Sequence, residues 1–252
     1  MHRQLGSDIK GWWNFNHGDS ASLCIANYAC DLSGYNNHGR LGDGACTPGS
    51  GTCPSYVEGV PGTGGNAMSF NGSQYIRVPD SPSLRITEAI TAMAWVKGEA
   101  QSSRSFLSKY NTLAENRSWR MVSGGFGDTN KLAIFLSKDG TFLAGSRKLY
   151  YSSITAFDNA WHHVAFAFTN NTLKLYIDGK EDPNPTKHYD EQIITLHEST
   201  TDVMIGSELY DDSPTALFTG QIDDPRIYDR VLSAEEMERI YAETKDKYLV
   251  EN

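Results

Sequence analysis

From Trp12 to about Thr200 the sequence keeps switching between short apolar alternations and clusters of Gly, Asn, Asp, Ser and Pro. That rhythm leaves room for strands of a few residues joined by turns, and for little else. The spacing predicts strands over 11–15, 67–71, 74–78, 90–97, 106–110, 118–123, 131–137, 149–154, 162–169, 172–178, 203–207 and 221–228. Within 162–169 the side chains of Val164, Phe166 and Phe168 share one face of the pleat, and within 172–178 so do Leu173, Leu175 and Ile177. Asp139-Gly140 and Asp178-Gly179 supply residues that tolerate the positive φ of a tight antiparallel turn. Only the end reads as helix. Ser233-Ala-Glu-Glu236 is a capping box, and Met237, Ile240 and Tyr241 then recur at helical spacing.

The expected fold class is therefore all-β, with antiparallel strands and one short C-terminal helix starting near Ser233. A single domain over 11–243 is the simplest division, with an N-terminal extension at 1–10 and a tail at 244–252. The 252 residues, 39% of them hydrophobic, suffice for one sizeable core. With 22 Lys+Arg against 31 Asp+Glu, the net charge of −9 argues against nucleic acid or an anionic membrane surface as the partner. No run approaches the roughly 18 apolar residues of a membrane span, so membrane insertion is not expected. MHRQLGSDIK carries no apolar signal core, which leaves an internal protein or a piece of a longer exported chain. Four cysteines, Cys24, Cys30, Cys46 and Cys53, lie close together without the C-x-x-C spacing of a zinc site. Their turn-rich gaps favour Cys24–Cys30 and Cys46–Cys53 disulfides and an extracellular or cell-surface location; four reduced thiols are the alternative.

Several segments, in order, resemble the bacterial and archaeal laminin-G-like domain, a concanavalin A-like jelly roll. They are Trp13-Asn14-Phe15, DLSGYNNHG (31–39), AMSFNGSQYIRVPDSPSL (67–84), TAMAWVK (91–97), FLSKYN (106–111), NRSW (116–119), WHHVAFAF (161–168), LKLYIDGK (173–180) and FTGQIDDPRIYDRVLSAEEM (218–237). The resemblance implies a two-sheet antiparallel β-sandwich whose first and last strands lie side by side. Two features depart from the family pattern: Pro225 stands where an aliphatic residue is usual, and the cysteine-bearing segments look like insertions.

The 31–39 loop sets Asp31, Ser33, Asn36 and Asn37 among glycines, a supply of hard oxygen donors of the kind Ca²⁺ takes. The resemblance adds that a structural calcium sits near this loop. It carries over Asn16, Asp31, Asn37, the carbonyl of Gly39 and Asp223 as ligands, with Asn71 a weaker candidate. The competing reading is a loop held by its own side-chain-to-backbone hydrogen bonds.

Catalysis finds no support in the motifs. A retaining glycosidase needs two carboxylates about 5–5.5 Å apart, which alternate strand residues provide, whereas Asp211-Asp212 and Asp223-Asp224 are adjacent and diverge on a strand. His162 and His163, adjacent in a strand, point to opposite faces and do not share an ion. No nucleophile elbow accompanies Asp31 and His38. Binding remains. Sugar-binding modules stack aromatic rings on sugar faces beside amide, carboxylate and guanidinium groups. The candidates are Tyr110, Asn111, Arg117 and Trp119, and Tyr210, Asp211 and Asp212. Trp119 alternates with Met121 and has a competing reading as core, as do Trp13, Trp95 and Trp161. The expected function is a non-catalytic extracellular module that binds a polysaccharide glycan. A protein-binding adhesion or pilus assembly domain, with a cell-surface protein as partner, is the alternative.

Overall fold

Period-two alternation with one oily face per strand has one economical solution, two sheets packed face to face, and the computed structural model has that architecture. It describes residues 8–16, 27–60, 65–125 and 127–245. In chain order the strands are β1 (Ile9–Trp12), β2 (Tyr28–Ala29), β3 (Gly39–Leu41), β4 (Ser55–Glu58), β5 (Asn66–Asn71), β6 (Ile76–Val78) and β7 (Ala89–Lys97). They continue with β8 (Arg104–Asn111), β9 (Asn116–Gly125), β10 (Asp128–Gly140), β11 (Arg147–Thr155), β12 (Trp161–Thr169), β13 (Thr172–Ile177) and β14 (Lys180–Glu181). The last are β15 (Thr186–Asp190), β16 (Val203–Ile205), β17 (Glu208–Tyr210), β18 (Ser213–Thr215) and β19 (Thr219–Tyr228), before helix α1 (Ala234–Lys245).

The smaller sheet runs β14-β13-β12-β7-β19-β5-β4, with β1 also on β19. The larger runs β15-β11-β10-β9-β8-β16-β6-β3-β2, with the β17–β18 hairpin attached to β8. Pairing is antiparallel apart from short parallel contacts, Leu209 with Asn111 and Ser105 with Leu217. β1 lies beside β19 in register Ile9↔Tyr228 and Trp12↔Arg226, so the first and last strands are neighbours as the resemblance implies.

The main core fills the space between the sheets. Trp13, Phe106, Trp119, Phe166, Phe168 and Phe218 are all at 1% exposure or less, and Trp119 meets Phe166 with centroids 5.8 Å apart. Each such ring contributes on the order of 1.5–3 kcal/mol through burial. A second cluster lies on the outer face of the smaller sheet, where Met237 and Ile240 of α1 cover Met93, Ala165, Ala167 and Tyr176. The helix starts where the capping box predicts: the Ser233 amide donates to Glu236 Oε2 at 2.9 Å and the Glu236 amide to Ser233 Oγ at 3.2 Å. A third cluster, Tyr110, Val122, Ala133, Phe135, Leu149 and Tyr151, occupies the outer face of the larger sheet.

Differences from the sequence reading have local causes. β1 stops at Trp12 because Phe15, at φ 55°, has already turned out of the strand region. The boundaries also shift: Ile9 and Lys10 of the expected extension belong to β1, and Thr244 and Lys245 of the expected tail belong to α1. Pro225 sits where the β19 register shifts between Asp223 and Arg226. A proline lacks an N–H to give the ladder, and a bulge is a position that asks for none.

Cys46 and Cys53 form the expected disulfide, with Cα atoms 5.8 Å apart. Cys30 is also disulfide-bonded. Cys24, its expected partner, lies outside the described residues. The Cys46–Cys53 bond closes a loop of eight residues, and chain entropy alone gives it about 2.5 kcal/mol. A Cys46→Ala/Cys53→Ala double variant is expected to unfold at lower guanidinium by about that amount; an unchanged midpoint would show the loop already ordered without it.

Candidate binding site

Six of the seven expected ligand-binding residues converge at one end of the larger sheet. β8 ends at Asn111, which is 1% exposed, and its side chain holds the neighbouring hairpin in two places. Its Nδ2 donates to Asp212 Oδ1 at 2.8 Å, and its Oδ1 accepts the Asp211 amide at 3.0 Å. Asp211 and Asp212 form the tip of the β17–β18 hairpin with φ of 50° and 60°, a conformation short polar side chains tolerate better than others. Tyr210 precedes them and is 49% exposed. Arg117 ties the β8–β9 turn to the β10–β11 turn by donating to the carbonyls of Thr112 and Gly140, and its guanidinium lies 5.7 Å from the Tyr110 ring.

Tyr110 is buried, covered by Arg120, which pairs with Glu208 and stacks on Phe135 at 4.0 Å. Trp119 is a correction to the sequence reading. It pairs with Lys109 and Leu136 on the inward side of β9 and is 1% exposed, so it is a core ring and offers no surface to a ligand. The exposed aromatic of the group is therefore Tyr210, beside two carboxylates and a buried amide.

The expected metal residues do not share one bonding network. Asp31 is almost buried and accepts four hydrogen bonds: Trp12 N and Ser33 N on Oδ1, Ser33 Oγ and Asn37 N on Oδ2. Asn37 donates to the Lys10 carbonyl at 2.6 Å and to Ser83 Oγ, and accepts from Ser81 Oγ. Gly39 pairs with Ala29 in β3. Asn71 caps its own turn by accepting from Ser73 N and Oγ.

Asp223 and Asn16 stand outside that network: among the described residues neither is hydrogen-bonded to Asp31, to Asn37 or to the other, and Asn16 Oδ1 accepts the Asn66 amide at 2.7 Å. Asp223 is 4% exposed and receives the Val60 amide at a long 3.4 Å. Burial, with the Asp224 charge next to it, pushes its pKa up to about 8. Gly59 stands where a Cβ would fall 2.7 Å from Asp223 Oδ2, and Gly65 where one would fall 2.0 Å from Asn16 Oδ1. A buried carboxylate held by the Val60 and Asp224 amides, and an amide oxygen that accepts from the Asn66 amide at 2.7 Å, are hard oxygens of the kind Ca²⁺ takes, each facing a side-chain-free position. Among the described residues no three His, Cys, Asp or Glu side chains gather as metal ligands.

The two histidines part as expected. His162 bonds to Asp178 and Asp158 at 2.9 and 3.2 Å, while His163 is 2% exposed under α1. Sequence reasoning did not single out Glu208, Arg120 or Gly59; only the fold brings them to these sites.

Residues 70–238 match the family model described as the concanavalin A-like lectin/glucanases superfamily, of laminin G type. The chain belongs to this superfamily. Solved structures share the sandwich at low identity. The binding domain of Paraclostridial Mosquitocidal Protein 1 aligns at TM-score 0.64 and 15% identity, over 94% of this chain and 52% of that one. Domain 4 of AbnA, an extracellular arabinanase from Geobacillus stearothermophilus solved with arabinotriose, aligns at 0.58 and 19%, over 93% and 98%. The binding domain of Botulinum Neurotoxin DC in complex with SialylT aligns at 0.61 and 13%, over 95% and 52%. This chain thus spans about half the length of the toxin binding domains. Comparison with curated proteins gives no match. No helix among the described residues is long and apolar enough to cross a membrane.

Proposed function

We propose that this chain is a non-catalytic binding module that takes a glycan at the rim formed by Tyr210, Asp211, Asp212 and Asn111. The observation that carries the reading is the half-exposed Tyr210 ring at a hairpin tip that buried Asn111 fixes from below. A ring stacks on the apolar face of a sugar while adjacent carboxylates accept from its hydroxyls. Two structural neighbours of the same architecture are described as complexes, one with arabinotriose and one with SialylT. An extracellular setting is supported by the Cys46–Cys53 disulfide. On a glycan array the protein is expected to select a ligand whose affinity falls about tenfold in Tyr210→Ala, the loss of one stacked ring. Retention of full affinity by that variant removes the rim from consideration.

The proposal includes a structural calcium, held by Asp223 and Asn16 where β19 meets the end of β1. The ion would neutralise the buried carboxylate and tie chain segments distant in sequence. Metal bound only by the folded state raises stability by RT ln(1 + [L]/Kd), about 2.7 kcal/mol at a hundredfold excess over Kd. Calorimetry in millimolar calcium against EDTA is expected to show that gain, and Asp223→Asn to abolish it. Coincident curves for the unmodified chain would assign Asp223 a metal-free role.

A further inference from the structure

Among the described residues the four most exposed large apolar side chains are Leu143 at 67%, Leu113 at 52%, and Ile194 and Tyr210 at 49% each. Three lie on loops and Tyr210 at the end of β17, all at one end of the sandwich. Leu113 is in the β8–β9 turn, Leu143 in the β10–β11 turn, Ile194 in the connection from β15 to β16, and Tyr210 at the β17–β18 tip.

These loops are laced to one another. Arg117 joins the first two through the Thr112 and Gly140 carbonyls. Ser199 Oγ donates to the Asn116 carbonyl and the His197 amide to the Ser137 carbonyl, fixing the third loop to both. The Thr112 amide donates to the Leu209 carbonyl, fixing the fourth. Leu143 itself sits on a closed turn, its carbonyl accepting from both the amide and the hydroxyl of Ser146. The apolar side chains are thus held outward by ordered backbone. Nothing in the fold gains from that, because an exposed leucine contributes no burial.

Charge distinguishes the occupant. In the loops 112–115, 138–146, 191–202 and 211–212 the exposed ionisable side chains are Glu115, Asp139, Glu198, Asp211 and Asp212 against Lys138. None of the five carboxylates is in an ion pair among the described residues, while of the cations nearby Arg120 pairs with Glu208, Arg77 with Asp202 and Arg147 with Glu191, and Arg117 is held by the Thr112 and Gly140 carbonyls. Carboxylates outside any ion pair, on the same loops as outward leucines, complement a surface that is apolar in the middle and cationic at its edge.

We propose that this end of the sandwich docks a basic amphipathic segment of a partner protein, with Leu113, Leu143 and Ile194 as apolar anchors and the carboxylates pairing with its Lys or Arg. This goes beyond the glycan reading, with which it shares only Tyr210 and its hairpin carboxylates. An anionic bilayer is disfavoured by the same carboxylates.

The test uses the full chain and a synthetic amphipathic helix of Leu and Lys, with a Leu and Glu helix and phosphatidylcholine vesicles as comparisons. The Lys helix is expected to bind, more weakly as salt rises. Leu113→Ser/Leu143→Ser is expected to weaken it about tenfold, as loss of central anchors does, and Asp139→Asn/Glu198→Gln severalfold. Ile154→Ser, at the opposite end, is expected to leave it unchanged. Unchanged melting of the leucine variant confirms that it folds. Glycan-array binding by that variant separates this proposal from the previous one, because a failed glycan screen with a positive peptide result leaves the docking surface standing. Equal binding of the Glu helix, binding of the vesicles, an equal loss in Ile154→Ser, or no binding of the Lys helix overturns it.

Discussion

Asp31→Ala is expected to lower the unfolding free energy by about 3–5 kcal/mol, the largest single-residue effect outside the hydrophobic core. Its carboxylate accepts three backbone amides, those of Trp12, Ser33 and Asn37, each at 2.9 Å, together with the Ser33 hydroxyl at 2.7 Å. Removing it strands those donors in a half-buried loop. Each unmade amide bond there costs about 1–3 kcal/mol, and water entering beside exposed Tyr35 and Asn36 recovers part of the sum. The same loss is expected in EDTA and in saturating calcium, since every contact of Asp31 is to a hydrogen-bond donor. Guanidinium unfolding under both conditions checks this. A loss that appears only with calcium would make Asp31 a ligand and join it with Asp223 and Asn16 in one site.

What the sequence disclosed followed burial. Strands buried on one or both faces, such as β7, β12 and β13, carry alternation strong enough to read, and the structure places them within a residue or so of the expected bounds. Short edge pieces such as β14 and β15 are mostly exposed and polar, and their pairing is decided by a neighbour rather than by their own pattern. The capping box is local chemistry, so the helix start was legible to the residue. Site residues behaved differently. Asn111 reads as a surface amide in FLSKYN, yet the parallel contact of β17 with β8 buries it beneath the hairpin tip. Trp119 and Arg120 are neighbours on β9 and end on opposite faces, one in the core and one over Phe135. Which face is which depends on the partner strand, and a single sequence does not state that.

Acid is expected to loosen the helix before it unfolds the sandwich, through His163. This side chain is buried beneath α1, 5.4 Å from the Trp95 ring and 6.2 Å from Tyr241, and its Nδ1 has no partner among the described residues. Burial, reinforced by the nearby Arg226 charge and only partly offset by Asp224 and Asp178, brings its pKa down to about 4. Folding therefore favours the neutral ring, and between the folded value and the unfolded value near 6.5 the unfolded chain holds the extra proton. The stabilisation is complete above about pH 6.5 and drains away as pH falls towards 4, by about 3 kcal/mol in all. His162, raised chiefly by its hydrogen bond to Asp178, and Asp223, raised by burial, act with the opposite sign in or near this window. The readout is accordingly the difference between the unmodified chain and His163→Gln, measured by chemical unfolding from pH 7 to 4.5 in saturating calcium. That difference should shift steadily in the variant's favour as pH falls. Trp95, which stacks on Tyr241 and donates from Nε1 to Thr244 Oγ1 at 2.9 Å, should report the helix leaving as a fluorescence change at a pH where the core signal is still native. A pH-independent difference would mean that His163 finds a proton partner without moving the helix, and that α1 is held by Met237 and Ile240 alone.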